Sequence, residues 1–423
     1  MADILNIYKV IILGYWWIIA PVALFFILRK IWLNHLIAEY LKGLEWVLLE
    51  VKFPVETTKS PKAIEQFFSG LHAVQKPLKF KDKYIKGEIP AWFSVEIVSK
   101  EGTTHVFVRT IDKFQNLVES QLYAQYPEAE IFEAEDYISE LTPDIPNKDY
   151  DIWGTELILL QPDAYPIRTY PVFFEEREAE ERNDPIAGLF EFLGSLNPGE
   201  HVWIQILISP ADDEWKNKGE ELVGKLIGKK VKATKGRLIL EETKSWLQAF
   251  GEGIREFFFG AVEAGEKKED LENVIAYLSP GQKEVVAAVE KNIAKLGFKT
   301  IIRYIYWAKT DIFSKDKTAA IGGFWKQFNT QNLNGFKPNK KATTGRGKVL
   351  KSLRHPGQKR FFISMYKKRY FPFKTLPKRG FVFNVEELAT IFHVPIKFVK
   401  AEKIPRIEAK KGGPPASLPI EQI

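Results

Sequence analysis

The sequence contains no cysteine, so neither a disulfide framework nor a thiolate metal site is open to it. The same absence agrees with a reducing compartment without requiring one. Histidine is scarce: six residues, at 35, 72, 105, 201, 355 and 393, none paired at a metal-ligating spacing. No G-x-S-x-G nucleophile elbow occurs, and the abundant carboxylates do not resolve into one acid and one base. A phosphate-cradling loop needs G-x-x-x-x-G-K-[ST], with glycines for backbone approach, lysine for the phosphates and a hydroxyl for magnesium. The nearest stretch, Ala342–Val349 (ATTGRGKV), lacks the first glycine and the final hydroxyl, and it follows no strand. No catalytic residue, cofactor or metal ligand is therefore expected, and no enzymatic activity. Carboxylates are themselves missing from Lys317 through Val385.

What is present is a chain of 423 residues with 45% hydrophobic and 13% aromatic content, enough for two or three packed domains. Net charge is +7, unevenly spread: Glu128–Asp184 is acid-rich and the carboxylate-free interval is basic. One acidic and one basic face are expected. Near the start, Val10–Leu28 (VIILGYWWIIAPVALFFIL) carries no charge over 19 residues. As a helix it would measure roughly 29 Å, about the hydrocarbon thickness of a bilayer. It is longer than a signal-peptide core and has no A-x-A cleavage site. It reads as a retained transmembrane anchor with the lipid bilayer as partner. Arg29, Lys30 and Lys42 behind it place the bulk of the chain in the cytoplasm, at the cell membrane.

Downstream, hydrophobic periodicity gives an α+β protein. Trp46–Phe53 reads as a strand, and Ser60-Pro61 opens a helix. Ala91–Val98 and His105–Arg109 form a hairpin about the turn Lys100–Thr103. Asp112 caps a helix ended by Pro127, and Ala129–Phe132 is a short strand. That order, β-α-β-β-α-β, is the ferredoxin-like split unit over residues 44–140. A second α+β domain is expected over 151–334, with an insertion at 229–278. Its strands are Trp153–Leu160, Thr169–Phe174, His201–Ser209 and Lys299–Trp307. Its helices start at Asp184-Pro185, Asp212 or Asp213, Ser279-Pro280 and Ser314. Beyond this element order the two domains show no readable repeat. Residues 1–43 are assigned to the anchor and its juxtamembrane helix, 335–400 to a basic aromatic segment, and 401–423 to a Pro/Gly-rich tail. Glu175–Asp184 is a charge run, either solvated surface or a dock for basic partners. Thr243–Gly260 carries an aromatic stripe, for core packing or for docking on a membrane or a subunit.

Lys337–Arg379 holds 15 Lys or Arg with interleaved aromatics. Such a stretch neutralises phosphates and stacks bases, lies against anionic lipid, or meets an acidic protein face. The residues expected to touch a nucleic acid or a partner are Lys337, Lys340, Lys341, Arg346, Lys348, Lys351, Arg354, Lys359, Arg360, Lys367, Lys368 and Arg369. Gly and Pro punctuation predicts a loop up to Lys359.

Six phrases together carry a resemblance: Glu45–Lys52 (EWVLLEVK), Ser60–His72 (SPKAIEQFFSGLH), Lys113–Pro127 (KFQNLVESQLYAQYP), Asp184–Leu207, Val385–Pro395 (VEELATIFHVP) and Gly412–Pro419 (GGPPASLP). Behind one apolar span, they resemble the region preceding the motor in membrane-anchored bacterial ATPases of the conjugation or type IV secretion kind. Those ATPases are similar to the DNA-pumping helicases of the HerA/FtsK superfamily. In that family a strand and a Walker loop follow the Pro-rich exit, whereas this sequence stops at Ile423. The resemblance implies the anchor and accessory part of a translocation machine, without its motor. It implies a separate hexameric ATPase as partner, with DNA as a possible passing ligand. A membrane-tethered enzyme with an unrecognised site and a structural homo-oligomer are the rival expectations.

Overall fold

The computed structural model describes residues 2–54, 59–141, 145–175, 184–227, 278–344, 351–372 and 380–395. At 2–16, 18, 19, 22, 23, 175 and 351–355 it describes the backbone alone. The chain divides into two compact units, residues 1–212 with 295–423, and residues 213–294.

The N-terminal helix α1 (Ala2–Lys42) is continuous through Pro21. The expected single-pass membrane anchor is corrected here: among the described residues, no helix is long and apolar enough to cross a membrane. The apolar side chains that are described, Trp17 and Leu24–Leu28, run directly into Arg29 and Lys30. Further along, Leu33, Leu36, Ile37, Tyr40 and Leu41 are half-buried at helical spacing and face the body. Gly87 receives the helix backbone there. Its φ is +69°, and a Cβ on it would lie 2.5 Å from the Leu36 carbonyl.

The body is one nine-stranded antiparallel sheet. Its first half is β1 (Trp46–Lys52), α2 (Lys62–Leu71), α3 (Phe80–Tyr84), β2 (Phe93–Lys100), β3 (Thr103–Ile111), α4 (Gln115–Gln125) and β4 (Glu130–Glu133). The tight β2–β3 turn places Glu101 and Gly102 at positive φ, the backbone of a two-residue hairpin. The second half is β5 (Tyr150–Leu159), α5 (Tyr170–Glu175), α6 (Ala187–Gly194) and β6 (Glu200–Pro210). It continues with β7 (Gly297–Lys309), α9 (Lys315–Lys326) and β8 (Phe336–Pro338). Strand order is β4-β1-β3-β2-β6-β7-β5-β8. The first four strands read 4-1-3-2 in their own numbering, and the last four read 2-3-1-4. These two groups of four strands are therefore two copies of one split β-α-β topology, joined edge to edge. The join is the antiparallel β2–β6 pairing, from Phe93↔Ile208 to Lys100↔His201, so the halves are related by a pseudo-two-fold axis between these strands.

Every residue of β6 is buried, so this central strand is covered on both faces. That explains the near-continuous apolar run VWIQILI. On one face Phe93, Val95, Ile97, Val202, Ile204 and Ile206 pack with the buried sides of α2, α4, α6 and α9. On the other, Val98, Trp203, Ile305 and Trp307 lie under α10 (Lys351–Lys367), whose Phe362, Ile363, Met365 and Tyr366 are buried. This helix corrects the loop expected up to Lys359. It runs through Pro356 and Gly357 because its C-terminal half has a sheet face to bury, which outweighs the cost of an interior proline.

The expected strand at Thr169–Phe174 is also corrected, being α5. The Tyr170 amide donates to Thr390 Oγ1, 2.9 Å away, instead of to a sheet neighbour. That partner belongs to a closing strand and helix, β9 (Phe381–Asn384) and α11 (Val385–Ile391), in which β9 pairs antiparallel with the first residues of β7. All residues from Phe381 to Pro395 are buried.

In the second unit, α7 (Glu214–Leu226) and α8 (Pro280–Ile293) pack together, with Gly219 against Ile293. Ser279 caps α8 in a full capping box with Gln282. The aromatic stripe at 243–260, almost all of the 229–278 insertion, most of the 175–184 charge run and the 401–423 tail lie outside the described residues.

Candidate nucleic-acid interface

The twelve cations singled out in the sequence have separate fates. Lys337 sits on the edge strand β8, opposite Ile158 of β5, and is exposed. Lys340 and Lys341 follow in an exposed turn that is tightly held. Asn339 Oδ1 accepts from the Lys341 amide at 3.1 Å, and Thr344 Oγ1 accepts from the Gly154 amide at 2.9 Å. Arg346 and Lys348 lie outside the described residues. Lys351 and Arg354 are on α10, where only the backbone is described. On its later turns Arg360 is exposed and Lys367 half-buried, and Lys368, just past its end, is exposed. Lys359 is paired with Asp151 of β5.

Arg369 is 1% exposed, so it presents no cation at the surface. Its Nε and Nη2 donate to the two Glu96 oxygens at 2.6 and 2.9 Å. Nη1 and Nη2 donate to Asp136 at 2.7 and 3.0 Å. Burial would raise both carboxyls, but Arg369 holds them below their ordinary values. Burial would lower Arg369, yet Glu96 and Asp136 lift it well above the usual guanidinium value. The network crosses the pseudo-two-fold axis. Gln205 Nε2 donates to Glu96 Oε1 at 3.3 Å, and Gln205 Oε1 accepts from Arg303 Nη1 at 3.4 Å. Arg303 Nε donates to Glu156 Oε1 at 2.9 Å, with both side chains fully buried. Ser94 and the Tyr137 hydroxyl also donate to Glu96. Sequence reading missed this cluster because its members stand far apart in the chain. A Glu, a Gln and an Arg in the middle of three apolar strands were the available signal.

A second cluster, built on the buried carboxylates Glu65, Glu386 and Glu387, fixes β9 and α11. Glu65 accepts from Lys62 at 2.9 Å, Lys295 at 3.1 Å and the Tyr170 hydroxyl at 2.7 Å. Lys295 also pairs with Glu386, which accepts from Thr169 Oγ1 at 2.6 Å. Glu387 accepts from the Ile167 and Asn384 amides at 3.1 and 3.0 Å. His393 places Nδ1 at 2.8 Å from the Ala389 carbonyl and Nε2 at 2.8 Å from Asp184. The VEELATIFHVP phrase is thus a packing and anchoring element. Among the described residues no group of His, Asp or Glu is arranged to hold a metal ion.

What remains outward and without an ionic partner among the described residues is Lys337, Lys340, Lys341, Arg360, Lys367 and Lys368. Lys337, Lys340, Lys341 and Arg360 border β5, since β8 pairs with that strand and Phe362 of α10 contacts Gly154. A family model described as a domain of unknown function, DUF8128, matches residues 30–405. The chain belongs to the DUF8128 family. No curated protein matches it. The DUF8128 match starts at Lys30, behind the uncharged run, and takes in both halves of the sheet, all twelve cations and the α11 anchor. The buried charge network thus lies wholly inside the DUF8128 region.

Proposed function

We propose that this chain is a non-catalytic scaffold of a DNA-translocating machine, offering its cationic surface beside β5 to the DNA backbone while a separate ATPase supplies the motor. The observation that carries the reading is the division of the basic segment. Lys359 and Arg369 are consumed inside the fold, while Lys337, Lys340, Lys341, Arg360, Lys367 and Lys368 have no neutralising carboxylate among the described residues. Unneutralised cations, four of them bordering one strand, favour a polyanion through counterion release. The two clusters favour a scaffold over an enzyme, because their oxygens and N–H groups are already engaged within the protein. The machine and its ATPase come from the resemblance of the sequence phrases to the pre-motor region of translocation ATPases.

Filter binding of duplex DNA at two salt concentrations tests the reading. The quadruple variant K337A/K340A/K341A/R360A is expected to bind more weakly at low salt. Its log–log salt slope should be shallower by roughly 0.9 for each phosphate that is no longer neutralised. An unchanged affinity and slope, in a variant with the wild-type melting profile, removes the DNA role.

A further inference from the structure

We propose that α1 pairs with the α1 of a second copy of this chain, along a seam of Phe25, Leu28, Trp32 and His35. Together with Ile31 and Arg29, these four residues line one shallow groove on the helix. Their spacing, three, four and three, is the a/d pattern of a two-helix coiled coil. The seam is a different stripe from Leu33, Leu36, Ile37, Tyr40 and Leu41, which are turned to the body, so both can be occupied at once. The body fixes the helix at its C-terminal end through the Gly87–Leu36 approach, leaving the seam outward.

Exposure sets the scale. Leu24, Phe25, Leu28, Ile31 and Trp32 are between 54% and 61% exposed, too much contiguous apolar surface for an isolated helix in water. At about half exposure each offers on the order of 100 Å². The five give on the order of 500 Å², more than half of the ~800 Å² per partner of a standard interface. The sequence continues the same spacing upstream at Ile11, Gly14, Ile18 and Pro21, on a helix that begins at Ala2. A second helix is favoured over a lipid occupant because Arg29 and Lys30 interrupt the described apolar stretch and no described helix qualifies as a span. This inference is independent of the DNA reading.

Sedimentation equilibrium of the full chain in a mild nonionic detergent tests it. The wild type is expected to be a dimer. F25S/W32S, which cuts the seam, should raise the dimer dissociation constant at least about tenfold. F26S/I27S removes two exposed apolar groups off the seam, at 42% and 55% exposure, and should leave the dimer intact. A monomeric wild type, or equal weakening by the two pairs, overturns the proposal. So does a wild type that floats with phosphatidylcholine vesicles as a monomer, since lipid then covers the seam.

Discussion

Glu96 of β2 and Gln205 of β6 are register partners at the centre of the sheet, and the Gln205 amide donates to the Glu96 carboxylate across the join. They occupy equivalent places in the two halves, yet only one is charged. Two carboxylates facing each other here would repel at close range in a dry interior. The neutral partner instead passes the hydrogen-bond chain to Arg303 and Glu156, so that each half keeps its own ion pair. The halves are thus welded by apolar pairs such as Val95↔Ile206 and aligned by one polar line.

Arg369 neutralises the Glu96 side of that line. Arg369→Met would leave Glu96 buried without its cation, and losing one member of a buried pair costs about 3–5 kcal/mol. Urea unfolding should show a drop of that order. Asp136 contributes less, since its side chain is half exposed. The double variant E96Q/R369M should recover much of the loss, because no uncompensated charge is then buried. A double variant no more stable than R369M would mean that the loss is one of packing against Tyr137, whose ring lies 5.5 Å from the guanidinium.

The strands and most helices were legible in the sequence because each is short-range and periodic. The alternation of β2 and β3, the Ser279-Pro280 capping signal and the apolar β6 run all sit where pattern places them. The joining of the halves was not legible. It depends on the pairing of β2 with β6, more than a hundred residues apart, which no local period encodes. Thr169–Phe174 misled because the alternation of Tyr170, Val172 and Phe174 suits a strand, whereas α11 offers that segment hydrogen-bond partners that decide in favour of a helical turn. The basic segment misled in another way. Charge counting treats all cations alike, but Arg369 lies behind buried aromatics and is spent on carboxylates from β2 and the 134–140 region. The family resemblance pointed to Val385–Pro395 as a distinctive stretch, without indicating that its distinction is total burial.

His201 gives the fold a pH dependence of definite sign. The ring stacks on Trp307 at 3.9 Å. Burial pushes its value from 6.5 down to about 4, with Lys100 adding to that and Glu101 and Glu140 opposing it. The unfolded chain then takes up a proton near pH 6.5 that the folded chain refuses until about pH 4. The unfolded state binds more protons in that window, so stability falls as pH falls through it, by on the order of 3 kcal/mol. His201→Phe should keep the stack and flatten this slope in denaturant titrations at pH 7 and pH 5. A His201 imidazole proton resonance, identified by its loss in His201→Phe, that titrates near 6.5 in the folded protein would contradict the assignment.

Gly154 of β5 is where α10 comes down on the sheet. A Cβ at this position would lie 2.5 Å from Phe362 Cε1 and 3.0 Å from Ile305 Cγ2. Phe362 is 1% exposed and packed in the buried cluster beneath α10, so its ring must displace neighbours to retreat. Gly154→Ala should therefore destabilise by about 1–3 kcal/mol, the usual cost of overpacking. Phe362→Leu alone leaves a small void and is also unfavourable. Combined, the smaller side chain makes room for the added methyl, so the double variant should be more stable than the sum of the two losses. A cycle in urea reads this coupling directly, and strict additivity would place α10 farther from β5 than the contact implies. Since Arg360 rides on the same helix, the overpacked single variant should also move that cation relative to Lys337, Lys340 and Lys341. Its DNA affinity should fall with its stability and return in the double variant.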